Sequence, residues 1–178
     1  MNHNSSFKTS NRFPVRRLTT LALLTAAALM IYGLESLIPP LVPVPGIKLG
    51  LANVVTLLAL KRYGVRDAFL VLLARILLSA FFFGSLMSML YSLCGGMLCL
   101  LAIWLVDLLL LRHFLFLTSA AGAIAHNLAQ LFVAYFITKT MGVYAYLPFL
   151  MISGIITGLF TGTCAHFTLR HLPRLEKE

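Results

Sequence analysis

Long apolar runs alternate with short polar and charged clusters along this chain, and the runs set its architecture. Hydropathy marks six candidate helical spans, over about 18–38, 47–60, 67–83, 87–111, 115–138 and 146–169. Most of them approach the roughly 20 residues that carry a helix across the hydrocarbon core of a bilayer. The second run is short and follows PPLVPVPG at 39–46, whose prolines cannot continue a helix. Irregular backbone is tolerated at membrane depth only against protein or a water-filled cavity. The segment therefore either re-enters the bundle and caps a cavity, or it is an ordinary proline-rich surface loop. Before the first run lies a basic stretch, Met1–Arg17. The run continues to Ile38 with no small-residue cleavage pattern, which predicts an uncleaved first helix rather than a signal peptide. The expected organisation is a basic tail over 1–17, an all-α membrane domain of six transmembrane helices over 18–169, and a short tail over 170–178.

Composition strengthens that picture. Of the 178 residues 60% are hydrophobic and 11% charged, with mean hydropathy +0.95. Soluble domains carry about 25% charged residues, so this chain has too few to cover a globular surface. Its length suits one compact bundle and leaves no room for a second soluble domain. A net charge of +9 would suggest nucleic acid in a soluble protein. Here the cations flank the apolar runs and report orientation instead. Lys8, Arg12, Arg16, Arg17, Lys61, Arg62, Arg66, Arg112, Arg170, Arg174 and Lys177 all fall on one set of ends. Lys48 and Lys139 fall on the other, and Arg75 sits inside the third span. By the positive-inside rule both termini are cytoplasmic, in a multi-pass protein of the cytoplasmic (inner) membrane. Cys94, Cys99 and Cys164 lie in apolar segments without CxxC spacing and read as small packing residues, not as metal ligands or a disulfide.

With the topology assumed, the polar residues inside the spans can be placed by depth. Residues 122–131 read GAIAHNLAQL: His126 and Gln130 share a helical face at i, i+4, and Asn127 is i, i+3 from Gln130. Arg75 falls near the middle of the third span, Lys48 at the outer mouth of the second, and Asn53 a turn or so deeper. An arginine at a helix centre costs about 2.5–3.5 kcal/mol on insertion scales, so it must face protein or water. Few carboxylates match its depth. Glu35 lies near the outer end of the first span, and Asp107 near the inner end of the fourth, close to Arg112. Cations outnumber anions in the outer half, which suits a cavity for an anionic or strongly hydrogen-bonding ligand. In that reading Lys48 and Arg75 neutralise ligand charge, while Asn53, His126, Asn127 and Gln130 supply directional hydrogen bonds. The competing reading is structural: such groups often bond across helices at about 0.6 kcal/mol each, and Arg75 and Glu35 are then an internal pair.

Small residues at every fourth position let helix backbones approach closely. The sixth span carries Gly154, Gly158 and Gly162, and the fourth carries Ser92 and Gly96, both expected to serve packing within the bundle. Ala22 and Ala26 in the first span fit internal packing or docking against another subunit equally well. The carboxylates Glu35, Asp67, Asp107, Glu176 and Glu178 are scattered, with no DDxxD pair to hold Mg²⁺ and a diphosphate. No P-loop, HExxH or GxSxG is present, so no catalytic residue, metal site or cofactor is expected. Any active transport would draw its energy from a partner or an ion gradient.

PGIKLGLANVVTLLAL at 45–60, RILLSAFFFGSLMSMLYSLCGG at 75–96 and GAIAHNLAQL together resemble the membrane family named heptaprenyl diphosphate synthase component I (the Gx transporter family). That family is similar to the substrate-binding S components of energy-coupling-factor (ECF) transporters. The resemblance covers about residues 18–169. It implies an S-component-like bundle of six helices, cytoplasmic termini and a binding cavity open to the outside. It also implies a transmembrane T component docked on an AxxxA pattern, matched here by Ala22 and Ala26, and a pair of ATPase subunits behind it. The expected function is a non-enzymatic substrate-binding subunit that takes a small anionic or amphiphilic solute. The alternative is a membrane accessory subunit in polyprenyl diphosphate or quinone synthesis, anchoring a soluble catalyst.

Overall fold

The computed structural model describes residues 15–38, 47–83, 86–109 and 114–171. All regular structure among them is helical: α1 (Val15–Glu35), α2 (Asn53–Tyr63), α3 (Val65–Phe83), α4 (Leu86–Leu109), α5 (Leu115–Thr138) and α6 (Leu147–His171). A 3₁₀ helix, Met141–Tyr146, links α5 to α6. The six expected helices are all present. Four stretches are long and apolar enough to cross a bilayer: α1, α4, α5, and the 3₁₀ helix with α6. By contrast α3 has 19 residues but carries Arg66, Asp67 and Arg75, and α2 has only 11. At 1.5 Å per residue α2 rises about 16 Å, half of a hydrocarbon core of about 30 Å.

The shortness of α2 has a cause in the residues before it. Helix formation starts at Asn53, not at residue 47, because the chain from Ile47 to Ala52 runs as irregular backbone with Gly50 at φ +79°. Even so the stretch is interior: Ile47 and Ala52 are buried. Buried backbone polar groups need partners. The Glu35 carboxylate accepts from the Gly50 and Leu51 amides at 2.6 and 3.1 Å, and Gln130 Oε1 accepts from the Lys48 amide at 3.3 Å. One turn of 3₁₀-type bonds, from Asn53, Val54 and Val55 back to Gly50, Leu51 and Ala52, then opens α2. The entry to α2 is thus a short, partly buried stretch of irregular backbone. The proline segment 39–46 itself lies outside the described residues.

α2 is the central element. It packs on α1, α3, α4, α5 and α6, and Val55, Leu57, Ala59 and Leu60 join Val71, Leu72 and Ile76 of α3 in the larger apolar core. α5 is sandwiched between α4 and α6. The glycine ladder of α6 serves this second contact. A Cβ on Gly158 would lie 2.5 Å from the Ala120 Cα, and one on Gly162 would lie 3.1 Å from the Ser119 Cβ. Gly96 of α4 likewise leaves room for Leu72 of α3. Leu23, Phe82, Leu105, Phe132, Ile156 and similar side chains face outward around the bundle, as lipid-facing positions do.

One end of the bundle gathers charge. Arg17 of α1 makes a forked contact to Asp67 of α3 at 2.7 and 3.0 Å, and Lys61 of α2 pairs with Asp107 of α4. Asp107 thus meets Lys61 of α2; Arg112, near it in sequence, lies outside the described residues. The described cations Arg62, Arg66 and Arg170 belong to helix ends on this same side.

Candidate functional site

At mid-height, three side chains from three helices form a buried hydrogen-bonded chain. Arg75 Nη2 of α3 donates to Asn53 Oδ1 at the start of α2, 3.3 Å away. Asn53 Nδ2 lies 3.0 Å from His126 Nδ1 of α5. All three are buried, Arg75 to 3% exposure and His126 to 2%. They meet because the irregular entry makes α2 begin halfway through the bundle, bringing Asn53 level with the eleventh residue of α3 and the twelfth of α5.

Glycines make the fit. A Cβ on Gly50 would stand 2.8 Å from His126 Cδ2, and one on Gly95 of α4 would stand 2.6 Å from His126 Nδ1. Only residues without side chains let the backbone of the entry segment and of α4 close on both edges of the imidazole. At Gly50 the positive φ adds a second reason, since that conformation favours glycine.

The chain is incompletely satisfied. Arg75 Nε and His126 Nε2 are buried with no hydrogen-bond partner, as is Asn127 Oδ1. Leaving such groups unpaired costs about 1–3 kcal/mol apiece, so an orphan in a native interior calls for a reason. Arg75 makes no ion pair with Glu35 within 4 Å; the described ion pairs are Arg17–Asp67 and Lys61–Asp107. Glu35 spends its oxygens on the two backbone amides, and its charge reaches Arg75 only through space.

Tyr32 of α1 completes the upper side. Its ring lies 3.5 Å from Lys48 Nζ and 5.8 Å from the Arg75 guanidinium carbon, and its hydroxyl pairs with Ser88 of α4 at 2.6 Å. Cations over a tyrosine face are held by the ring quadrupole. Lys48 Nζ also donates to Ser36 Oγ, so its ammonium is tethered at the half-open rim, away from the buried chain.

A small cavity of about 10 Å³ adjoins the chain between α2, α4, α5 and α6, lined among others by Gly50, Asn53, Cys99, Ser119, Thr157 and Thr161. That is room for about one water molecule. The structure thus brings together Asn53, Arg75, His126 and, through the entry backbone, Lys48 and Gln130. Asn127 goes elsewhere: its Nδ2 donates to the Leu150 carbonyl at 2.7 Å and to Ser153 Oγ at 3.3 Å, and it backs on Gly154. Gly154, Gly158 and Gly162 pack α6 on α5, and Ser92 and Gly96 are buried in α4. Ala22 and Ala26 are exposed on the outer face of α1 and take no part in internal packing.

Glu35, Tyr32, Gly50 and Gly95 belong to the site as well. Glu35 stands out in the sequence only as a carboxylate near Arg75's depth; its task of holding backbone amides has no local signature. Gly95 and Gly50 read as unremarkable small residues until the imidazole is placed between them.

This is a membrane-embedded helical bundle built around a buried, partly unsatisfied cationic and amide cluster. Residues 24–168 match the profile of the family described as heptaprenyl diphosphate synthase component I, and the chain belongs to that family. No curated protein and no solved structure matches it.

Proposed function

We propose that this protein is the substrate-binding subunit of an ECF-type transporter, with six helices in the membrane, both termini cytoplasmic, and a small anionic or amphiphilic solute taken from the outside. The observation that carries this reading is the pair of buried, unpartnered nitrogens, Arg75 Nε and His126 Nε2, on a chain assembled from three helices. Structural glue would satisfy its own groups; a receptor leaves them for a guest. The orientation is supported by the cluster of basic helix ends beside Arg17–Asp67 and Lys61–Asp107. Exposed Ala22 and Ala26 supply a close-approach stripe on α1 suited to a T component, which in turn would engage the ATPase subunits.

A second reading rests on the family description: a non-catalytic membrane accessory subunit in polyprenyl diphosphate or quinone synthesis. A catalytic role is disfavoured because Asp67, Asp107 and Glu35 are apart and each is engaged, with Arg17, Lys61 and backbone amides respectively.

Affinity purification from the native membrane separates the two. Recovery of a T component with ATPases, and a retained small anion in native mass spectrometry, is the expected result. Recovery of a soluble DDxxD-bearing synthase instead establishes the accessory role, and Mg²⁺-dependent prenyl transfer by the isolated chain would refute both.

A further inference from the structure

The buried chain has a direction. Arginine has five donors and no acceptor, so the Asn53 atom facing Arg75 at 3.3 Å must be its oxygen. The Asn53 amide nitrogen is then the atom 3.0 Å from His126 Nδ1, and it donates. A ring nitrogen that accepts carries no proton, so the imidazole proton sits on Nε2. Nε2 is the nitrogen left without a partner. The donor character of Arg75 is relayed through one amide to the far edge of the histidine.

Gly50 closes on that edge with backbone alone, so no side chain at this position takes up Nε2. A Cβ there would come 2.9 Å from Nε2, and the φ of +79° disfavours any residue that has one. Arg75 Nε, the other free group on the chain, is also a donor. Asn127 Oδ1, the unpartnered acceptor, belongs to an amide anchored on α6 and lies about 100° around α5 from His126.

We propose that Asn53 is a positioning residue that sets the His126 tautomer, so that the Arg75–Asn53–His126 chain offers only donors and the buried end of the ligand is an acceptor, a phosphate or carboxylate oxygen and not an amine. This rests on the solute-binding reading above and names its ligand class. An amine beside either nitrogen would set donor against donor, while an oxyanion can accept from it.

The test uses the full chain labelled with ¹⁵N-histidine in dodecyl maltoside, which carries no phosphate; His126→Gln identifies the signal. The wild-type protein should show a protonated Nε2 and a bare Nδ1 at His126. Asn53→Asp, whose carboxylate only accepts, should move the proton to Nδ1, and Asn53→Ala should give a mixture. Next, octyl phosphate, octanoate and octylamine are titrated while the His126 Nε2 signal is followed. The two anions should shift it at concentrations about tenfold or more below any effect of octylamine, since an unmatched buried donor loses at least that much. Phosphatidic acid in place of octyl phosphate tells a lipid headgroup from a soluble ligand, and either response supports the acceptor class.

A wild-type proton on Nδ1 overturns the relay, because the Gly95 carbonyl also lies within reach of the ring and would then be its partner. That result leaves solute binding by other contacts standing. The expected tautomer with an equal response to octylamine overturns the ligand class, again without touching solute binding. The expected tautomer with no response to any of the probes removes the ligand half of the proposal, and native mass spectrometry without a retained solute then tells against the binding reading itself.

Discussion

The charged end of the bundle and its polar middle are built from similar side chains to opposite effect. At the end, Arg17 meets Asp67 and Lys61 meets Asp107, cation to carboxylate. In the middle, Arg75 meets an amide, the amide meets an imidazole, and the nearby carboxylate of Glu35 is occupied by backbone. A charge matched by its counter-charge has nothing left to offer. A guanidinium matched only by an amide keeps both its charge and a free N–H. The end satisfies its own charges and holds helices together; the middle keeps unsatisfied groups, which is what the proposed binding role draws on.

Four substitutions sharpen that contrast. The largest effect on stability is expected at the end: Asp107→Ala leaves Lys61 with 9% side-chain exposure and no counter-charge. Removing one partner of a buried pair costs about 3–5 kcal/mol, so thermal unfolding in detergent should shift well down while the His126 tautomer is unchanged. Arg75→Ala should do the reverse. Ligand binding, read by native mass spectrometry, should fall roughly a hundredfold or more, as truncating a buried charged contact does. The melting temperature should hold or rise, because an incompletely satisfied guanidinium leaves the interior. Arg75→Ala binding normally would erase the distinction between the two regions. Third, Arg17→Ala should cost less than Asp107→Ala, about 1–3 kcal/mol, since Arg17 is itself 38% exposed but leaves the Asp67 carboxylate, 3% exposed, without its partner. Asn127→Ala should be smallest, near 0.6 kcal/mol in a denaturant titration and with little change in binding, because Asn127 bonds α6 and not the chain.

Much of this was legible in the residue pattern. Six apolar runs gave six helices, and a mid-span arginine with polar groups at matched depth gave Arg75, Asn53 and His126 as neighbours. The failures are instructive. Adjacency and polarity group Asn127 with His126 in the sequence, yet one residue turns the helix by about 100° and points them at different partners. Depth can be counted along a helix; azimuth needs the neighbouring helices. The start of α2 was misplaced by six residues because residues 47–52 are apolar enough for a helix, and only Gly50 marks the irregular path. Glu35 gave no signal of its role, since a carboxylate that caps backbone looks in sequence like one that pairs with a cation.

The glycine ladder of α6 has a mechanical corollary. Where Gly158 brings the α6 main chain against that of α5 at Ala120, no side chain is left to swing aside, and Gly122 lets Ile103 and Cys99 of α4 sink onto the α5 backbone. α4, α5 and α6 consequently behave as one stiff slab. The seam along α1 is zipped by side chains, by Tyr32 on Ser88 and Glu35 on the chain ahead of α2, and side chains can change rotamer without dragging a helix. Breathing of the bundle is therefore cheapest along α1, the helix whose outer face carries the bare alanines.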